Sequence, residues 1–161
     1  MTTPGLLTTE RKAGRAWLLV LLWTAVLWWL GSDIGSLNAT SRFIGPLLRW
    51  LLPEAPQATL NQIHFFLRKG AHVGGYGVLA LLTWRALLAS TRAAVLRLTL
   101  LALVWVLAVA ACDELRQATS LVRTGSARDV ALDLFGGILA LALALAYLRW
   151  MHSGRTALER G

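Results

Sequence analysis

A chain of 161 residues that is 57% hydrophobic and only 15% charged is too apolar for a water-soluble domain of its size, so the surplus must face lipid. Its formal charge of +8 is spread beside apolar segments rather than gathered into a stripe, which favours membrane orientation over a nucleic-acid partner. The single cysteine, Cys112, excludes an intramolecular disulfide and a thiolate cluster, and three scattered histidines, His64, His72 and His152, do not make a metal site, so no cofactor is expected.

A crossing helix needs about 20 residues, each rising about 1.5 Å, so four crossings with short links use most of the chain. After the polar stretch Met1 to Glu10, the cluster Arg11, Lys12 and Arg15 precedes the run Ala16 to Leu30, interrupted only by Thr24. A first span is expected over 14–32, with Trp28 and Trp29 in an interfacial belt. A cleaved signal peptide is the competing reading, but no small-x-small cleavage pattern follows Leu30. Between Ser32 and Ile63, Gly35, Gly45, Pro46, Pro53 and Pro56 break the chain around the amphipathic piece Phe43 to Leu52. Its Arg49, among leucines and Trp50, suits a helix lying on the membrane surface or, equally, a soluble loop helix. His64 then reads as a solvated interface residue on the approach to the second span.

The second span is expected over 69–87, where Gly70, Gly74, Gly75 and Gly77 permit close helix packing. The third covers 95–112, with Arg97 snorkelling outward and Cys112 as a small apolar helix residue. The fourth covers 129–148 and ends at Tyr147, Trp150 and a basic tail. The fold class that follows is an all-α membrane protein, one domain over 1–161, built as a four-helix bundle with an amphipathic segment between helices 1 and 2.

Orientation follows from the basic residues outside the spans. One side receives nine of them: Arg11, Lys12, Arg15, Arg85, Arg92, Arg97, Arg149, Arg155 and Arg160. The other receives seven: Arg42, Arg49, Arg68, Lys69, Arg116, Arg123 and Arg128. Lysine and arginine favour the cytoplasm, so a multi-pass protein with both termini cytoplasmic is expected.

That topology brings together residues far apart in sequence. The second span starts, the third ends and the fourth starts on the outer side, so Lys69, His72, Asp113, Glu114, Gln117, Arg123, Asp129 and Asp133 gather at one rim. Lys69, His72 and Tyr76 share a helical face, Gln117 shares one with Asp113 and Glu114, and Asp129 and Asp133 share another with Gly136 or Gly137, where a neighbouring backbone or a ligand can approach. A carboxylate near hydrocarbon costs about 2.5 to 3.5 kcal/mol on insertion scales, so four of them need compensation. An ion-pair network, such as Lys69 or Arg123 with Asp113 or Asp129, would supply it by fixing helix register. A functional site is the other reading: Arg and Lys hold a phosphate or carboxylate, and His72 or Glu114 moves a proton. Ser126 reads either as a nucleophile beside a base or, more simply, as a helix cap upstream of Asp129.

The ordered pattern Lys69-x-x-His72-x-x-x-Tyr76, Asp113-Glu114-x-x-Gln117 and Arg123-x-x-Ser126-x-x-Asp129 resembles the VanZ-like family over roughly residues 68 to 137. The resemblance implies a small bacterial membrane protein of the cell envelope, in a family whose namesake is associated with lowered susceptibility to the glycopeptide teicoplanin. The chain departs from the family pattern at Asp133, where many members have asparagine, at Gly75, where some have glutamate, and at Leu121-Val122, which replaces a Pro-Gly. The expected function is recognition of an anionic lipid or lipid-linked cell-wall precursor at the outer rim. Lys69 and Arg123 would bind the anion, with Asp113, Glu114 and Asp129 orienting them and Gln117, Ser126 and Asp133 completing the site. His72 and Tyr76 would supply hydrogen bonds or proton transfer. A membrane-embedded lipid-phosphate hydrolase or transferase, with His72 or Glu114 as catalytic base, and a noncatalytic membrane partner or stability factor are the alternatives.

Overall fold

The computed structural model describes residues 4–32, 37–119 and 126–158, and among these the regular structure is helical with no strand. Five helices follow in order: α1 (Pro4–Leu30), α2 (Leu37–Leu51), α3 (Gln57–Ser90), α4 (Val95–Ala118) and α5 (Ala127–Leu158). Local chemistry sets several boundaries. Pro56, with φ −56° and ψ 146°, stands before α3, where its missing N–H costs nothing, and extended Thr91 ends that helix. Ser126 caps α5: its hydroxyl accepts the Arg128 N–H at 3.2 Å and its carbonyl accepts the Asp129 N–H at 2.9 Å.

Four helices, α1, α3, α4 and α5, are long and apolar enough to cross a bilayer. Their outward faces carry Leu18, Leu21, Leu96, Val104 and Leu143, each more than half exposed, a surface only lipid can cover without cost. The chain is therefore a multi-pass membrane protein, a four-helix transmembrane bundle with the amphipathic helix α2 between its first two crossings.

The third helix organises the bundle, packing against each of the others, most extensively against α5. Val20, Leu79, Ala80, Leu98, Val106 and Leu141, from four helices, are buried together. Tryptophan indoles tie α1 to α3 at two levels: Trp23 donates to the Gly75 carbonyl at 2.8 Å, and Trp17 to the Ser90 hydroxyl at 3.0 Å. Gly77 lies against Gly136 and Ala140, and a side chain on Gly136 would run into the Val73 backbone, so here α3 and α5 meet backbone to backbone.

The expectations for α3 need three corrections. Gly70 and Gly74 have open space where a Cβ would stand, so of the four glycines only Gly75 and Gly77 serve packing. The helix starts at Gln57, well before Lys69; its 34 residues span about 51 Å, against the ~30 Å hydrocarbon core. The extra turns are covered by α2, with Leu48 and Leu60 buried between them, and His64 is buried there too, at 8% exposure, rather than solvated.

Candidate functional site

Polar side chains converge where α4 ends and α5 begins, against the middle of α3. Lys69 pairs with Asp129, and His72 Nδ1 lies 3.1 Å from Asp133, so an ion pair and a histidine–carboxylate contact join α3 to α5. Lys69, His72 and Tyr76 climb one face of α3 and pass from partial exposure into the sealed interior. The Lys69 and His72 side chains are 26% and 16% exposed, and Tyr76 is 1%. The His72 and Tyr76 rings stack with centroids 6.3 Å apart, and the Lys69 ammonium lies over the Phe65 ring.

On α4, Asp113 is buried and accepts hydrogen bonds from Arg116 at 2.7 Å and Gln117 at 2.8 Å. Arg116 also donates to the Trp28 carbonyl at 2.9 Å, so the end of α1 closes this side of the cluster. Gly31 leaves room for this pair, because a Cβ at that position would displace the Asp113 carboxylate and the Arg116 guanidinium. Glu114, also buried, accepts the Ser126 backbone N–H at 2.7 Å, which ties α4 to the start of α5.

Nine of the ten residues singled out in the sequence thus stand in or beside one network: Lys69, His72, Tyr76, Asp113, Glu114, Gln117, Ser126, Asp129 and Asp133. Arg123 lies outside the described residues. The Ser126 hydroxyl is engaged as the α5 cap. Arg116 and the end of α1 were not anticipated as members. The signal for Arg116 was its position three residues after Asp113, on the same helical face.

Among the described residues, four buried polar atoms in this region have no hydrogen-bond partner: the Tyr76 hydroxyl, Glu114 Oε1, Arg116 Nε and Asp133 Oδ2. Asp113, Glu114, Asp133 and Arg116 are all near enough to act electrostatically on Tyr76, so these groups share one neighbourhood. An unsatisfied buried polar group costs about 1 to 3 kcal/mol, and native folds rarely tolerate several together without a use for them. The arrangement offers a phenolic donor, a guanidinium N–H donor and two carboxylate acceptors in the interior, a histidine held by a carboxylate, and an ammonium at the rim. It suits a ligand that presents hydroxyl or other donor groups inward and an acidic group outward.

Comparison with curated proteins and with solved structures gives no match. A family model described as VanZ/LLP1 matches residues 16–149, a stretch that holds the whole polar cluster, and the chain belongs to that family.

Proposed function

We infer that this protein recognises, from the outer face of the bacterial cell membrane, the headgroup of an anionic, lipid-linked envelope component. The observation that carries the reading is the set of unpartnered buried atoms on Tyr76, Glu114, Arg116 and Asp133 beside the partly open Lys69. In this reading Lys69, oriented by Asp129, and Arg123 meet the phosphate or carboxylate. Glu114, positioned by the Ser126 amide, and Asp133 accept hydroxyl groups of the headgroup, and Tyr76 donates to one of its oxygens. The Asp113, Arg116 and Gln117 group sets the frame between α1 and α4. The association of the family's namesake with teicoplanin fits a protein that handles envelope lipids. Lipids extracted from the purified protein and identified by mass spectrometry test the proposal: a phosphate-bearing lipid enriched over the surrounding membrane is expected, and a composition equal to the bulk membrane would sink it.

The His72–Asp133 contact favours a second reading, a lipid-phosphate hydrolase or transferase. A carboxylate on one imidazole nitrogen fixes the ring and leaves the other nitrogen to take or give a proton. Turnover of the bound lipid by wild type and its loss in His72→Gln, with lipid still bound, would establish this reading over simple recognition.

Both readings place the cluster outside, which rests on the nine basic residues assigned to the opposite face against seven on this one. Cysteines introduced near residue 90 and residue 120 in cells are expected to react with an impermeant thiol reagent only at the latter. Labelling near residue 90 alone would invert the topology and, with it, the proposed outer-face site.

A further inference from the structure

We propose that a second site, separate from the carboxylate cluster, lies between α2 and the first turns of α3: a pocket at the membrane interface that binds a phosphate group. A cavity of about 450 Å³ lies here, bordered by Arg49, Gln57, Leu60, Asn61 and His64. That is within the size range of small-ligand sites.

Its hydrogen bonding is polarised in one direction. The Arg49 guanidinium donates to the Gln57 side-chain oxygen, and the Gln57 amide donates to the Asn61 oxygen at 3.0 Å. The Gln57 and Asn61 side-chain oxygens each already receive a donor in this relay, while the remaining Arg49 N–H groups and the Asn61 NH₂ are not used by it. Among the described residues no carboxylate forms an ion pair with Arg49, and none borders the cavity. The pocket therefore offers a positive charge and an excess of donors, the complement of an oxyanion. The cluster around Glu114 and Asp133 differs in that its buried carboxylates add acceptors beside the Lys69 ammonium, whereas no carboxylate borders this pocket.

Position supplies the setting. Gln57 stands twelve residues before Lys69, about 18 Å along the helix axis, so the pocket lies beyond the ends of α4 and α5. The surface beside it is still apolar: Leu47, Trp50, Leu51, Phe66 and Leu67 are all more than half exposed. A donor-rich pocket beside exposed leucine and aromatic side chains matches the headgroup level of a bilayer, where a lipid phosphate is the abundant oxyanion. Free inorganic phosphate offers the same chemistry and is the other possible source.

The test uses the full chain, purified in a neutral detergent and stripped of lipid, with thermal unfolding followed at rising concentrations of phosphatidylglycerol, diacylglycerol of the same chains, or inorganic phosphate. Phosphatidylglycerol should raise the melting temperature and diacylglycerol should not. A response to inorganic phosphate with none to phosphatidylglycerol would identify the free ion as occupant. Arg49→Gln should weaken the phosphate-dependent response at least tenfold, whereas Arg42→Gln, on the same helix and exposed, should leave it within twofold. Asn61→Asp, which keeps the Arg49–Gln57 contact and adds a carboxylate, should weaken the response as much as Arg49→Gln and guards against a mere loss of α2 packing. Arg49→Gln should cause the same further loss in a Glu114→Gln background as in wild type, which separates this pocket from the site of the proposed function. Equal losses in the Arg49 and Arg42 variants, or no response to either phosphate compound, would overturn the proposal.

Discussion

Gly136→Leu is expected to yield no folded bundle, and even Gly136→Ala should lower thermal stability in detergent clearly. A Cβ at Gly136 would approach the α carbon, carbonyl carbon and carbonyl oxygen of Val73 to under 3.0 Å. These are backbone atoms, so no rotamer change relieves the clash, and α3 and α5 must move apart along the most extensive helix pair in the molecule. Overpacking of this kind costs about 1 to 3 kcal/mol for added methylenes, and four heavy atoms of a leucine exceed what the seam can absorb. Gly74→Ala is the matched control: nothing lies within 4 Å of its Cβ position, and alanine favours a helix over glycine by about 0.5 to 1 kcal/mol. Melting in detergent should therefore separate the two alanine variants in opposite directions. A Gly136→Ala protein as stable as wild type would mean that the α3–α5 seam is looser than described.

The same seam shows how far sequence reasoning reaches. Long apolar runs and their breakers were sufficient for the four crossings and the amphipathic insert, because length and composition alone decide whether a helix can span lipid. The gathering of Lys69, His72, Asp129 and Asp133 was legible from topology, since the second and fourth crossings start on the same side, but the pairing of His72 with Asp133 was not. Helix rotation was not legible. Gly70, Gly74, Gly75 and Gly77 are alike in sequence, and only the packed structure tells the two that face neighbours from the two that face open space. His64 was misread for a related reason: its burial depends on where α2 lies across α3, a tertiary placement that no local pattern encodes. Arg116 was counted only as a surface charge, because its role requires the end of α1 to reach α4.

The central claim is that the buried carboxylates serve a ligand rather than merely tying helices together. Glu114→Gln and His72→Gln are the informative changes. Glutamine at 114 keeps an oxygen for the Ser126 amide, and glutamine at 72 keeps a donor for Asp133, while both alter charge and proton exchange. Asp113→Ala is the structural contrast, since it removes the acceptor of both Arg116 and Gln117. The variant leaves buried Gln117 without its acceptor and the 38% exposed Arg116 with the Trp28 carbonyl alone, so it should melt below wild type, by less than the ~3 to 5 kcal/mol of a fully buried pair. The decisive measurement is the amount of phosphate-bearing lipid retained per protein after purification, with Arg49→Gln present throughout so that the pocket between α2 and α3 does not contribute, read by mass spectrometry beside a detergent melting curve for each variant. The account predicts that Glu114→Gln and His72→Gln retain at least tenfold less lipid while melting close to wild type. Wild-type lipid retention in both variants, or a loss of lipid only in step with a loss of stability, would contradict it.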